Sequence, residues 1–201
     1  MSPRRANPEL AERRREALVK AGYAEIVEKG IHATTIDGVI ARAGFSKGGA
    51  LYYFRTRDDL LYAVLEWLLA QLDRTLDQVA SSREAPRARL ASELEVLFHS
   101  AEVNRKLYLV LLDFAALGLR MERFRVLLAG FFERCRKRDE VIVEEGIRDG
   151  QFRPVKPEDA ARTLRSLVDG YNLHWLLTGE GDSLESYRDR CRAVLGAYLL
   201  R

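Results

Sequence analysis

The sequence predicts an all-α fold of about nine helices, because helix signals recur along the whole chain and strand signals do not. Only five prolines occur among the 201 residues. Few stretches alternate apolar and polar residues as a half-buried strand would. Apolar residues make up 47% and charged residues 31% of the chain, a composition typical of a folded globular protein rather than a disordered one.

Three helices are predicted in the first 54 residues. An asparagine followed by proline is a helix start signal, glycine after the last turn is a stop signal, and serine or threonine caps a start. The start of the second helix resembles a capping box, with aspartate in place of glutamate three residues after the threonine. The expected boundary residues, in chain order, are Pro8 and Gly30, Thr34 and Gly44, and Ser46 and Phe54.

Six longer helices are predicted in the rest of the chain. Thr56 is expected to cap the fourth, with Asp58 and Asp59 in its first turn, where the helix dipole favours acidic groups. Pro86 and Pro157 mark two later starts. The five helices after the fourth are expected at about residues 86–101, 107–118, 121–146, 157–177 and 183–200.

The charge distribution is uneven although the net charge is only +3. Residues 1–57 contain 11 Lys/Arg and 6 Asp/Glu, a net of +5, and residues 58–201 contain 22 and 24, a net of −2. A basic N-terminal quarter suggests a surface that faces a polyanion. From charge alone, a chance distribution on a mixed surface is about as probable.

Several function classes have no motif in this sequence. It has no GxSxG, P-loop, GxGxxG or paired-carboxylate motif, so no enzyme is expected. His32, His99 and His174 have no metal-ligand spacing, and neither a metal nor a cofactor is expected. The apolar runs are shorter than the roughly 20 residues of a membrane span.

A cytoplasmic location is expected from the N-terminal sequence and from the two cysteines. Met1–Arg5 lead into charged sequence rather than an apolar signal segment. Cys135 and Cys191 lie far apart without a CxxC pair, which predicts reduced thiols. Arg4 and Arg5 are either a disordered tail or an arm that reaches a DNA groove.

Residues 34–60, TTIDGVIARAGFSKGGALYYFRTRDDL, form the most informative stretch. Two short helices joined by a tight turn at Gly44 are predicted, and this is a helix-turn-helix. A recognition helix presents small or hydrogen-bonding groups to a DNA groove. The residues that fit this description are Lys47, Gly48, Gly49, Ala50, Tyr52 and Tyr53.

The order of residues in this stretch resembles the signature of the TetR family of transcriptional regulators. The shared features are an Ala-Gly turn, a serine before the recognition helix, Leu-Tyr-x-Phe at its end, and an acidic residue before leucine. The strict match covers about residues 18–64. A weaker likeness covers DGQF at 149–152 and AARTLRSLVDGYNLHWLL at 160–177, which resembles the dimerisation helix of many members.

The resemblance implies a role for individual positions. Thr34 and Thr35 stand where the family contacts phosphate, and Tyr53 matches another phosphate position. Arg57 stands where the family usually has lysine, near the DNA backbone. One departure is Ile40, where the family prefers alanine, and the larger side chain should press on the recognition helix. The implied DNA-binding residues are Thr34, Thr35, Lys47, Gly48, Gly49, Tyr52, Tyr53 and Arg57.

The resemblance also implies the organisation and partners of the chain. A helix-turn-helix domain over residues 8–62 would bind palindromic double-stranded operator DNA, with the helix-turn-helix itself at about 35–54. A helical domain over 63–201 would bind a small effector and form a homodimer through helices at about 157–177 and 183–200. The function implied is that of a repressor released from its operator by a small ligand, and the aromatic content of the chain suggests that this ligand is hydrophobic.

A mostly apolar effector pocket is expected among the fourth to eighth helices. Asp113 interrupts an apolar run, and both a surface position and a buried polar contact are open for it. An aromatic residue taken by itself is more often part of the ordinary core than of a ligand pocket. The expected pocket residues are Trp67, Phe98, His99, Tyr108, Asp113, Phe114, Phe131, Tyr171 and Trp175. The alternative function is an all-helical ligand carrier, which would not need the basic N-terminus or the turn motif.

Overall fold

The computed structural model describes residues 8–178 and 182–200, and Arg4 and Arg5 lie outside these ranges. Within them the fold is all-α, without strands, and no helix has the length and apolar character to cross a membrane. The helices of the described ranges are α1 (Pro8–Lys29), α2 (Ile36–Ala43), α3 (Lys47–Leu51), α4 (Arg57–Ala80), α5 (Pro86–Leu97), α6 (Ala101–Gly118), α7 (Glu122–Arg148), α8 (Pro157–Thr178) and α9 (Leu184–Leu199).

Most predicted helix boundaries are confirmed to within about two residues, but α3 ends at Leu51 rather than Phe54 and α5 at Leu97 rather than at about residue 101. The predicted starts of α2 and α6 are also wrong. Thr35, not Thr34, caps α2, because the Thr35 hydroxyl accepts a hydrogen bond from Gly38 N at 3.0 Å. Helix α6 begins at Ala101, six residues before the expected start near Leu107. Its first turn is stabilised by the Ser100 hydroxyl, which accepts a hydrogen bond from the Val103 amide at 3.3 Å.

The chain divides into two compact units, and the divisions fall within α4, α6 and α7. The first unit consists of residues 1–68 and 109–125. In its core α1 packs against α2, and the rings of Phe114 and Phe124 stack with their centroids 6.0 Å apart. Gly22 of α1 is closely approached there, since a Cβ at this position would lie 2.8 Å from Val64 Cγ2.

The second unit consists of residues 69–108 and 126–201. Its core contains buried side chains from α5 to α9, and α9 packs against both α5 and α8. The turn after α7 fixes one wall of this core, because Phe152 is 1% exposed and fills the space beside Gly146. A Cβ at Gly146 would lie 2.1 Å from the Phe152 ring, so this position has no room for a larger residue.

A buried charged cluster joins three helices of the second unit. Arg165 of α8 donates a hydrogen bond to Glu93 of α5 at 2.8 Å. Its Nε also lies 2.8 Å from Asp139 Oδ2 of α7, an ion pair that lacks the angle of a hydrogen bond. Burial, followed by the nearby Glu93 carboxylate, raises the pKa of Asp139 well above its ordinary value. Arg165 is the counter-ion that two buried acids share.

Both cysteines are buried in the second unit. Cys135 is 1% exposed and Cys191 is 0% exposed. Burial raises the pKa of Cys135 to about 12 and that of Cys191 to about 11. Because the thiolate is the reactive form of cysteine, both thiols are chemically quiet in the folded chain.

Glu25 holds α2 against α1 in the first unit. The Glu25 side chain is 3% exposed and accepts hydrogen bonds from Lys29 Nζ at 2.6 Å and from Arg42 Nε at 2.7 Å. Gly38 leaves room for this carboxylate, since a Cβ there would lie 2.8 Å from Glu25 Oε1. The hydrogen bonds from Lys29 and Arg42 hold the pKa of Glu25 below its ordinary value of 4.5.

Glu25→Gln should destabilise the chain at neutral pH by about 1–3 kcal/mol, because it removes the negative charge and one of the two oxygens that accept from Lys29 and Arg42. The folded pKa of Glu25 lies below the unfolded one, so its stabilising contribution is full above about 4.5 and is lost as pH falls through the folded pKa. Urea unfolding at several pH values should therefore show a difference from wild type that shrinks on acidification.

The matched control for this prediction is Glu12→Gln, which changes a carboxylate on α1 that is 73% exposed. It should leave the free energy of unfolding nearly unchanged. A Glu25→Gln protein as stable as wild type at neutral pH, or a difference that grows in acid, would contradict this role of Glu25.

Candidate nucleic-acid interface

Helix α3 is only five residues long and is fixed by its cap and by two buried side chains, one within the helix and one just after it. Gly44 adopts a positive φ of 69° at the turn, and the Ser46 hydroxyl accepts a hydrogen bond from Gly49 N at 3.3 Å. Ala50 is 2% exposed and Phe54 is 4% exposed, and both therefore anchor the segment. A helix this short does not form alone, so its position depends on these contacts.

The outer surface of α3 is open. Lys47, Gly48, Gly49 and Tyr52 are all exposed, and Tyr52 is 78% exposed. The two glycines differ in their surroundings. A Cβ at Gly48 would have nothing within 4 Å, whereas a Cβ at Gly49 would lie 3.0 Å from the Ser46 hydroxyl. A partner molecule can therefore approach the backbone at Gly48 closely. The missing side chain at Gly49 leaves room for the Ser46 hydroxyl that caps the helix.

The Lys47 ammonium is held above the start of α2. Its Nζ lies 3.0 Å from Asp37 Oδ1, and both side chains are about two-thirds exposed. Exposed ion pairs of this kind contribute little free energy. The ammonium can exchange Asp37 for a stronger anionic partner such as a phosphate.

The two threonines before α2 have different surroundings. Thr35 is exposed and caps α2. Thr34 is 1% exposed, and its hydroxyl donates a hydrogen bond to Gly30 O at 2.9 Å. The Thr34 side chain is thus not available to a phosphate in this arrangement, and its role is to fix the turn after α1.

Arg57 and Asp113 hold the loop between α1 and α2. The Arg57 guanidinium donates to Thr34 O at 2.7 Å and to Ile31 O. From α6, the Asp113 carboxylate accepts a hydrogen bond from Ile31 N at 2.8 Å. Ile31 is 2% exposed, so its backbone groups depend on these two side chains. Arg57, expected near the DNA backbone, is thus engaged mainly by protein carbonyls.

A concave polar surface lies beside α3 and has a volume of about 280 Å³. Arg14 of α1 lines it and has no acidic partner within 4.0 Å in the described ranges. Arg14 was missed by the sequence reasoning because helical spacing does not tell which of Arg13, Arg14 and Arg15 faces the turn. Its lining residues are Arg14, Gly44, Phe45, Ser46, Gly49 and Tyr53.

The residues expected to line an effector pocket divide between the two units. In the first unit, the Asp113 carboxylate is used by the Ile31 amide, Phe114 is 0% exposed, and Trp67 packs on Tyr23 with centroids 5.5 Å apart. The hydrogen bond from the Ile31 amide gives Asp113 a structural role, so its carboxylate is not available to orient an effector. The residues in the second unit are Phe98, His99, Tyr108, Phe131, Tyr171 and Trp175.

Four of these six residues belong to one core cluster. Phe98, Tyr108 and Trp175 are buried in it, and Tyr171 packs against it. Tyr108 donates a hydrogen bond to Asp169 Oδ1 at 3.2 Å, and burial raises the pKa of Tyr108. His99 is exposed, with its amide bound to Asn104 Oδ1 at 3.1 Å. Phe131 is buried outside this cluster.

The sequence matches two protein families. Residues 18–64 match "Bacterial regulatory proteins, tetR family", and residues 86–200 match "BetI-type transcriptional repressor, C-terminal". Among curated relatives, the HTH-type transcriptional regulator BetI of Yersinia pestis (strain Pestoides F) is 28% identical over 180 residues, 83% of each chain. An uncharacterized HTH-type transcriptional regulator of Bacillus subtilis, YfiR, is 27% identical over 85% of this chain and 83% of its own.

Solved structures share the fold. A TetR transcription regulator from Haloarcula marismortui has a TM-score of 0.85 at 26% identity, covering 94% of this chain and 100% of its own. A putative transcriptional regulator from Saccharomonospora viridis, solved in complex with choline, has a TM-score of 0.86 at 19% identity, covering 94% and 99%. The second likeness shows the fold alone.

Proposed function

Because the chain belongs to the TetR family of bacterial regulatory proteins, with a C-terminal region of the BetI type, we propose that it represses transcription from a palindromic operator until a small hydrophobic effector releases it. The protein is a helix-turn-helix transcriptional regulator. Its place of action is the cytoplasm, where the DNA lies. The observation that carries the DNA-binding role is the exposed backbone at Gly48, between Lys47 and Tyr52 on an anchored α3.

The proposed contacts follow from exposure and charge. Gly48 allows the α3 backbone to approach base edges, with Tyr52 beside it. We propose that four side chains bind phosphates of the DNA backbone near α3: Arg14, Thr35, Lys47 and Tyr53. Arg57 and Thr34 act indirectly, through the loop that carries Thr35. The operator itself is to be identified by selection from random double-stranded DNA. A failure to enrich any palindromic sequence would contradict this proposal.

Lys47→Gln should weaken binding to the selected operator and to unrelated DNA alike. The reason is that a phosphate contact carries no sequence information, and its loss reduces counterion release. The slope of log affinity against log salt concentration should fall by about one unit, as measured by fluorescence anisotropy of labelled duplex.

Lys20→Gln is the control for this substitution, because Lys20 is an exposed lysine of α1 paired with Glu16 at 2.9 Å. It should change neither the affinity nor the slope. If Lys47→Gln leaves the slope at the wild-type value while circular dichroism is unchanged, Lys47 does not bind phosphate.

We propose a homodimer that forms through α8 and α9, since a twofold protein reads a palindrome. Several apolar residues of these two helices are already used by the chain's own core. Leu164, Val168 and Trp175 of α8 are buried in the chain's own core, as are Leu184 and Tyr187 of α9. Leu164, Val168, Trp175 and Leu184 are therefore not available to face a second copy, whereas Tyr187 also lines an open groove with Gly170.

Apolar and small residues remain exposed on the other side of the same helices. Val194 is 42% exposed, and Ala193 and Ala197 beside it are also exposed, which places them on one face of α9. On α8, Leu177 is 74% exposed, and Gly170 lines an open groove of about 370 Å³. Covering this surface with a second copy removes its apolar area from water.

Val194→Arg should convert the dimer to a monomer, because two copies of an added charge would meet near the twofold axis. Analytical ultracentrifugation at micromolar concentration measures this. Val126→Arg adds the same charge at a valine of α7 that is 56% exposed, and this protein should remain dimeric. A monomeric wild type, or a dimeric Val194→Arg protein, would refute the proposed interface.

The effector is proposed to bind within the second unit, where Phe98, Tyr108 and Trp175 provide aromatic surface. Helices α4 and α6 each contain residues of both units, which supports them as the route from effector to DNA. By linkage, effector and operator must weaken each other by the same factor. Thermal-shift screening followed by operator titration tests this. Tight effectors that leave operator affinity unchanged would contradict it.

A small organic cation is a second effector class that one observation favours. In the second unit, Glu93 and Asp139 both pair with Arg165, and Asp169 accepts a hydrogen bond from the buried Tyr108. Carboxylates and aromatic faces both attract quaternary ammonium groups. The structural neighbour solved with choline makes choline the first cation to test. A thermal shift with choline, but not with hydrophobic compounds, would select this class.

A further inference from the structure

A narrow apolar groove lies between α5 and α9 in the second unit, with a volume of about 220 Å³. Its floor is made by buried residues: Leu90, Leu94, Phe152, Leu195 and Leu199. The half-buried Ala91 and Gly196 form its rim. None of these residues belongs to the expected effector pocket. The groove is therefore a separate concave surface.

The two helices run in opposite directions along this groove. At one end, Arg192 of α9 pairs with Glu95 near the end of α5. At the other end, the amide of Arg87 near the start of α5 donates to Gln151 Oε1, and Arg153 N donates to Leu199 O. The distance from Arg87 to Leu94 is about two helical turns, or ~11 Å. A straight aliphatic chain of medium length fits such a groove.

The charges at the two ends differ. Arg192 is neutralised, since its guanidinium lies 2.5 Å from Glu95 and 3.1 Å from Asp189. Arg87 is exposed, and no acidic side chain of the described ranges lies within 4.0 Å of it. The groove thus has an apolar floor, a paired arginine at one end and an unpaired arginine at the other. This combination complements a molecule with one anionic end and an apolar tail.

We propose that this groove binds a medium-chain aliphatic carboxylate. The carboxylate accepts two hydrogen bonds from the Arg87 guanidinium, a geometry that this group is built to provide. The tail lies over Leu90, Leu94 and Leu195, where it displaces water from apolar surface. The site does not depend on the proposed operator or effector roles, and it lies on the face of α9 opposite Val194 and Ala197.

Binding should depend on chain length in a defined way. Each added methylene that reaches the floor raises affinity about fourfold, and the rise stops when the groove is full. Isothermal titration calorimetry of the full chain with butyrate, hexanoate, octanoate and dodecanoate measures this. Octanol is the uncharged comparison for octanoate.

Two variants separate the charged and apolar parts of the site. Arg87→Gln should lower octanoate affinity at least tenfold and leave octanol binding unchanged. Gly196→Leu should abolish binding of both, because a Cβ at Gly196 has ordinary clearance, 3.7 Å from Leu200, and a longer side chain fills the groove. Arg83→Gln is the matched control, since Arg83 is exposed just before α5 and does not line the groove.

Each outcome decides the proposal. Support requires saturable octanoate binding that Arg87→Gln weakens, that Gly196→Leu removes and that Arg83→Gln leaves intact. No saturable binding at millimolar octanoate would overturn the site. Binding that survives Gly196→Leu would assign the ligand elsewhere and overturn it too, and equal weakening by Arg83→Gln and Arg87→Gln would overturn the role of Arg87. Operator affinity of Arg87→Gln should equal that of wild type, so the DNA-binding proposal is tested separately.

Discussion

The loop between α1 and α2 is the constraint on which the recognition surface depends. Its residue Ile31 is 2% exposed, and a buried backbone amide or carbonyl without a partner is costly. Asp113 accepts from the Ile31 amide, and Arg57 donates to the Ile31 and Thr34 carbonyls. Two side chains from helices distant in sequence therefore fix the start of α2. Helix α3 is too short to hold its own position, so it inherits its placement from α2 and the turn at Gly44.

This arrangement separates the residues that shape the surface from those that can touch DNA. Thr34 and Arg57 are engaged by the protein itself, whereas Lys47, Gly48 and Tyr52 face outward. The glycines fit the same division. An open Gly48 permits close approach, and Gly49 leaves room for the Ser46 hydroxyl. Arg57 stands at a position that lies near the DNA backbone in the TetR family. In this chain it stabilises the fold, because an arginine side chain is long enough to reach backbone carbonyls.

Local sequence signals predicted where most helices lie, but they could not predict the contacts between the helices. Gly44 and Ser46 mark α2 and α3 correctly, since left-handed backbone and capping are properties of single residues and their neighbours. The sequence placed the α2 cap one residue early, because Thr34 and Thr35 are equally good caps until burial distinguishes them. The partner of Asp113 is 82 residues away, and no periodicity could identify it. The concave surface at Arg14 was missed for the same reason, since it depends on packing of α1 beside α3.

Amide hydrogen exchange of Ile31 tests the importance of this loop most directly, with wild type compared with Asp113→Ala. We expect the Ile31 amide to be protected in wild type and to exchange much faster in the variant, with reduced protection through α2 and α3. The amides of α8, which belong to the other unit, should keep their protection. Equal protection of Ile31, α2 and α3 in the two proteins would contradict the claim that the recognition surface depends on this loop.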